Sequence, residues 1–172
     1  MASQDTAAPG DWSTTVIVSS SLQDHEVIAS LRNQRHKIRV SNSVQTDSII
    51  FPLSGTAFLL VNTQEARGGE DRETFFDKIQ QFSSTHRNSF IVMVAALHGP
   101  EEWDLMRNIQ LRFLGSNLKV IPAHNSAETV KSVLTIVKAT CKPHCETIEE
   151  KLLQAKVYIA ENSPAWKALD EM

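Results

Sequence analysis

The sequence predicts an α/β fold, a largely parallel sheet with helices on both faces, followed by a short α-helical tail. Three observations carry that prediction. Short apolar runs rich in β-branched residues alternate with helix-period segments as far as about residue 142, with connections too long for hairpins. The run 90–97 is continuously apolar, the mark of a strand covered on both faces by helices. Beyond Pro143 the alternation stops and apolar residues follow a helical period alone. A chain of 172 residues suits one well-cored domain with a small appendage. The predicted division is a leader at 1–12, an α/β domain at 13–143 and a helical tail at 144–172.

The leader, with Pro9 and Gly10 among small polar neighbours, holds too little apolar content to offset the entropy of ordering and reads as flexible. Residues 14–19 form the first strand, with Ser20 and Ser21 as turn formers. In 24–33, Val27, Ile28 and Leu31 share one face of a short amphipathic helix, and 36–40 is the next strand. Pro52 cannot donate to a ladder, so 48–53 reads as an edge strand or turn, and 56–61, beyond Ser54 and Gly55, as a core strand. After a polar loop through Gly68 and Gly69, Phe75, Phe76, Ile79 and Phe82 recur at helical spacing as a core stripe, and 90–97 takes the sheet centre.

Pro100 opens a helix that turns Trp103, Met106, Ile109 and Phe113 inward and Arg107 and Arg112 outward, and Gly115 stops it. Residues 118–121 are a further strand. Asn125 or Ser126, with Glu128 close behind, caps a helix bearing Val130, Val133, Leu134, Val137 and Cys141 on one face. In the tail, a helix at about 146–161 sets Ile148, Leu152, Ala155 and Ile159 on one stripe and Leu153 and Val157 on another, with a short helix after Pro164. Adding Tyr158, Trp166 and Leu169 gives more apolar area than the tail can bury alone, so one face is expected to meet another protein. The alternative is that the tail folds back onto the sheet domain.

Composition and motifs exclude several kinds of function. Lys plus Arg number 17 against 20 Asp plus Glu, a formal charge of −3, which argues against a stand-alone nucleic-acid binder. The longest apolar run falls far short of the ~20 residues of a bilayer span, and the start of the chain lacks the hydrophobic stretch of a secretory signal. Cys141 and Cys145 cannot staple a fold this size, which points to a reduced, intracellular protein. Gly68 and Gly69 lie in a polar linker and not between a strand and a helix, so no nucleotide cofactor is expected. Cys141, His144 and Cys145 straddle Pro143 with no second cluster; that is a poor zinc site, and packing explains them better.

His98, followed by Glu101 and Glu102, stands where a general acid or base could act, although acids in a first helical turn ordinarily complement the dipole. It supports the rival reading of a small α/β hydrolase. No Gly-x-Ser-x-Gly elbow surrounds Ser19, Ser20 and Ser21. The one basic cluster is Arg32, Arg35, Lys37 and Arg39, with no acid between Leu31 and Val40. It is either a phosphate-backbone contact or a solvated strand edge.

An ordered set of motifs carries a resemblance more specific than the fold. They are Thr14-Thr15-Val16-Ile17-Val18-Ser19-Ser20-Ser21, Ser48-Ile49-Ile50-Phe51, His98-Gly99-Pro100-Glu101-Glu102-Trp103, Arg112-Phe113-Leu114-Gly115-Ser116-Asn117-Leu118 and Ser163-Pro164-Ala165-Trp166. Taken together they span nearly the whole folded chain. In them the sequence resembles the vertebrate members of the meiotic crossover family named for sporulation gene sixteen of yeast, also called synaptonemal complex reinforcing element. The resemblance implies an inactive XPF-type nuclease-like domain followed by a helix-hairpin-helix region, similar to the non-catalytic subunit of XPF-type endonuclease heterodimers. It implies as partner the XPF-like protein called shortage in chiasmata. The pair is expected in the nucleus on meiotic chromosomes, binding branched DNA, promoting crossing-over and supporting the central element of the synaptonemal complex.

Two departures refine what the resemblance implies. An active XPF-type nuclease holds a divalent metal with a strand-borne Asp and a Glu-Arg-Lys triplet. Here the strand 56–61 has no Asp, and it leads into Asn62-Thr63-Gln64-Glu65-Ala66-Arg67, in which Glu65 and Arg67 are a remnant at most. No catalytic residue, metal or cofactor is therefore expected. The chain after Pro143 is too short for a tandem helix-hairpin-helix and contains no glycine for hairpins whose amides meet phosphates. The truncated tail is expected to dock the partner through Ile148, Leu152, Leu153, Val157, Trp166 and Leu169, with Arg32, Arg35, Lys37 and Arg39 the candidate DNA contacts. A purely structural synaptonemal component without DNA contact is the remaining alternative.

Overall fold

The computed structural model describes residues 12–64, 72–165 and 168. Among them the apolar runs form strands β1 (Thr15–Ser19), β2 (Lys37–Ser41), β3 (Ser48–Phe51), β4 (Thr56–Asn62), β5 (Asn88–Val94) and β6 (Leu118–Ala123). The helix-period segments form α1 (Glu26–Asn33), α2 (Arg72–Thr85), α3 (Pro100–Arg112), α4 (Ser126–Thr140) and α5 (Lys142–Asn162). All six strands join one sheet in the order β2-β1-β3-β4-β5-β6. β1 is parallel to β2, β4 to β5 and β5 to β6, while β3 runs antiparallel to both its neighbours. The sheet is thus largely parallel with helices on both faces, as the sequence predicts, and β3 is its one reversed strand.

Two placements differ from expectation. β3, read as an edge strand or turn, lies in the middle of the sheet between β1 and β4. Pro52 does no harm there because the strand ends at Phe51; the proline falls in the turn to β4, where Ser54 N donates to Phe51 O (3.2 Å) and Gly55 N to Pro52 O (3.3 Å). Gly55 has φ +65°, a left-handed conformation that a residue with a Cβ adopts at a cost. Consequently β5 is not the centre: β4, buried from Thr56 to Val61, sits beside β3 there.

Two apolar layers flank the sheet. On one side α1 and α4 bring Ile28, Leu31, Val133 and Val137 onto Val16, Val18, Phe58 and Val92. Phe58 stacks on Phe90 at 5.0 Å and meets Phe51 edge-on at 5.6 Å. On the other side α2 and α3 bring Phe76, Ile79, Phe82, Met106 and Ile109 onto Leu59, Ile91 and Met93. Coverage of this second side is uneven. The paired row Arg39, Ile17, Ile50, Ala57, Ser89 runs from exposed on β2, through half-buried on β1 and β3, to buried on β4 and β5. Among the described residues, α2 and α3 therefore cover the β4–β6 half and leave the β1–β2 half open.

The predicted stripes are buried at Val27, Ile28 and Leu31, at Phe75, Phe76, Ile79 and Phe82, and at Val130, Val133, Val137 and Cys141, with Leu134 half-buried. Trp103 departs from its predicted inward place and is 56% exposed. At about 100° per residue, Met106, Ile109 and Phe113 cluster within about 60° of arc, and Trp103 falls at least about 60° outside it. α5 starts earlier than expected, at Lys142, because Pro143 occupies the first turn, where no intrahelical N–H is required. Cys141 alone separates it from α4. Trp166, Leu169 and the leader before Trp12 lie outside the described residues.

Trp12 packs edge-on to His36 at 5.4 Å. His36 is buried, and its Nδ1 accepts the backbone N–H of Thr14 (3.2 Å), so the ring is neutral with its proton on Nε2. Burial lowers the pKa of His36, and likewise that of His86, from the ordinary 6.5. As pH falls through that value the unfolded chain binds protons that the folded rings do not, so stability drops. The urea midpoint is expected to fall between about pH 7.5 and about pH 5. A smaller fall in a His36→Gln variant would identify the site responsible. In the core, Phe58→Ala is expected to remove about 3–5 kcal/mol of unfolding free energy, read by urea titration, against less than about 1 kcal/mol for Val40→Ala on exposed β2.

Candidate functional site

Because β1, β2, β4, β5 and β6 share a direction, their carboxyl ends meet at one edge of the sheet, where ligands of such folds ordinarily bind. A cleft of about 380 Å³ opens there, lined by Ser21, His25, Asp47, Asn62 and Ser126 among others. β4 ends in Asn62, whose Oδ1 accepts the N–H of Gln64 (3.0 Å) and so turns the chain. Asp47 is the one carboxylate among the described lining residues. Its Oδ1 accepts from Ser21 Oγ (3.1 Å), its Oδ2 from Lys78 Nζ (3.2 Å), and its own N–H donates to Ser21 Oγ (2.9 Å). Those contacts hold Asp47 at φ +63°, which a short polar side chain tolerates. Lys78 also balances its charge. Among the described residues no group of three or more His, Cys, Asp or Glu is placed to hold a metal ion. Glu65, Arg67, Gly68 and Gly69 lie outside the described residues, as do the side chains of His144 and Cys145; Cys141 is a free, buried thiol.

The serines at the end of β1 are turn formers: Ser19 Oγ accepts from Ser21 N (3.4 Å) and caps a 3₁₀ turn, Ser20–Leu22. At the ends of β5 and β6, His98 Nε2 donates to the carbonyl of Ala123 (3.0 Å), while its Nδ1 is buried without a partner. The His98 and His124 rings meet edge-on at 5.1 Å. Glu128 Oε2 accepts from His124 N (2.9 Å) and Nδ1 (2.8 Å), bonds that hold its carboxyl below the usual carboxylate range. Glu102 accepts the N–H of Gly99 (2.9 Å) at the start of α3. Both acids act on backbone N–H groups at helix starts, so their role in this constellation is structural.

The basic residues stand at the α1–β2 corner, all exposed. Arg32 lies in the last turn of α1, Arg35 in the connection at φ +66°, and Lys37 and Arg39 on β2. The corner holds them in two groups, since α1 packs on one side of the sheet while Lys37 and Arg39 pair with Thr15 and Ile17 on the other. On α5, Ile148, Leu152, Leu153 and Val157 are 44%, 57%, 63% and 48% exposed, accompanied by Tyr158 and Ile159. A further exposed group, Trp103, Leu111 and Leu114, escapes sequence reading because helical periodicity marks the buried arc and is silent on large residues just outside it. The Asp47 clamp escapes it too, because its partners lie 26 and 31 residues away.

Comparison with known proteins agrees with this frame. The family model described as Protein SPO16 homolog matches residues 10–172. Human Protein SPO16 homolog is 50% identical over 161 residues, covering 94% of this chain and 89% of the human protein. Among solved structures, XPF from Aeropyrum pernix in complex with DNA superposes with a TM-score of 0.61 at 11% identity, over 76% of this chain and 66% of that one. XPF from the same organism in a second structure gives 0.58 at 9% identity, over 89% and 83%. At such identities the likeness shows the fold alone, and that fold is nuclease-like, as the resemblance implies. Half the residues shared with the human relative, over nearly the whole length of both, place this chain in the SPO16 homolog family.

Proposed function

We propose that the protein is a non-enzymatic meiotic recombination factor that pairs with an XPF-like partner, shortage in chiasmata, and helps bind branched recombination intermediates. In this reading it promotes homologous recombination and crossing-over on meiotic chromosomes in the nucleus and supports the central element of the synaptonemal complex. Membership of the SPO16 family and the XPF-like fold fit a meiotic recombination role. They are also consistent with a non-catalytic role and a nuclear, chromosomal location. The observation that carries the non-catalytic reading is the end of β4. A strand that would present a metal-binding carboxylate in an active nuclease presents Asn62, and nearby Asp47 is held by Ser21 and Lys78.

The tail, 144–172, acts as a helix-hairpin-helix-like docking element beside the α/β domain of 13–143. Support for this comes from the width of the exposed apolar surface on α5, far more than a solvent-facing helix requires. Ile148, Leu152, Leu153 and Val157 are its docking residues, joined by Trp166 and Leu169. DNA contact is assigned to the cluster Arg32, Arg35, Lys37 and Arg39. The net charge of −3 favours a second reading, a purely structural synaptonemal component without DNA contact.

Co-expression with the XPF-like partner tests the first reading. A one-to-one complex by size-exclusion light scattering is expected, binding four-way junctions more tightly than linear duplex. Absence of any salt-dependent DNA binding would favour the structural reading. Leu153→Asp combined with Val157→Asp is expected to abolish co-purification while changing the chain's own stability by less than about 1 kcal/mol, since both side chains are exposed. Intact co-purification would remove α5 from the interface. Incubation of junction DNA with the chain and Mg²⁺ is expected to give no cleavage; cleavage that EDTA suppresses would overturn the non-catalytic assignment.

A further inference from the structure

The cations at the α1–β2 corner differ in their surroundings. On β2 they alternate with Ile38, which pairs with Val16 and packs into the α1–α4 core. Lys37 and Arg39 therefore stand on the opposite side of the sheet, in register with Thr15 and Ile17. This is the half that α2 and α3 leave open. β1 and β2 carry no acidic residue. Among the described residues neither Lys37 nor Arg39 has a side-chain hydrogen bond or ion pair. Asp47, in the loop between β2 and β3, is already neutralised by Lys78 at 3.2 Å.

An unpaired cationic sheet face of this kind suits a polyanion better than a protein. A Lys on an edge strand discourages pairing with another strand, and β1 and β2 offer no carboxylate that would repel an anion. Thr15 and Ser41, on the same side, add hydroxyl donors of the kind that orient phosphates. We infer that the open half-face, through Lys37 and Arg39 flanked by Thr15 and Ser41, seats the phosphodiester backbone of one duplex arm, and that Arg32 takes no part. The inference rests on the DNA-binding reading above and narrows it by centring the contact on the two cations of β2 and taking Arg32 out of it.

The test uses the chain co-purified with its XPF-like partner and fluorescence anisotropy at several salt concentrations. The probes are a four-way junction, a linear duplex and a single strand. The Lys37→Gln, Arg39→Gln double variant is expected to weaken junction and linear duplex to a similar degree and to lower the slope of log K against log[salt] by about 2, roughly 0.9 per lost contact. Arg32→Gln is expected to leave the slope unchanged. Urea midpoint and light scattering check that the double variant is folded and still paired. An unchanged slope in the double variant, an equal fall with Arg32→Gln, or a fall confined to the single strand would overturn the two-residue seat while leaving DNA binding itself intact. Loss of the partner instead of DNA would mean the face is a protein interface. If the unaltered complex binds none of the probes, the wider DNA reading fails with it.

Discussion

The reversed strand β3 is the constraint on which the rest of the architecture depends. Parallel strands need a crossover, nearly always right-handed, whereas antiparallel neighbours can be joined directly. From β1 the chain crosses through α1 to β2 on one flank, and from β4 it crosses through α2 and α3 to β5 and β6 on the other. Crossovers of one hand travelling in opposite directions put their helices on opposite faces. The described packing obeys this: α1 lies in one layer, α2 and α3 in the other, and α4 returns to the side of α1. Since β3 enters and leaves without an intervening helix, the layer of α2 and α3 ends over the middle of the sheet, and the open half-face beyond it is a result of topology.

How much of this is legible in the sequence depends on the range of the forces involved. Periodic burial is local, and the stripes at Val27, Ile28 and Leu31 and at Phe75, Phe76, Ile79 and Phe82 lie where the pattern puts them. The helix start at Pro100 and a cap at Asn125 or Ser126, which falls at Asn125, are equally local and equally legible. Strand order is not local: Pro52 argues against a central strand only if it lies inside the ladder, and whether it does depends on where the turn to Gly55 closes. Trp103 shares an approximate helical spacing with core residues yet sits off their arc. The basic cluster is contiguous in sequence but divided by the sheet, because pleat alternation and the α1–β2 corner together decide which side each cation faces.

At the strand ends the chemistry is likewise decided by partners more than by residue type. Carboxylates and imidazoles are present, but Asp47 is clamped, Glu102 and Glu128 satisfy backbone donors, and His98 is tied to the carbonyl of Ala123. Each contact fixes a loop or a helix start at this edge of the sheet.

The one-residue joint at Cys141 has a mechanical meaning. α5, at 21 residues, is about 31 Å long, and its root is set by a buried residue whose backbone is extended between two helices. A tilt of about 10° at that root would sweep the far end of the helix through about 5 Å, by simple leverage on its length. The angle at which anything gripping α5 is presented to the sheet is thus written into the packing around a single thiol, far from the point of grip.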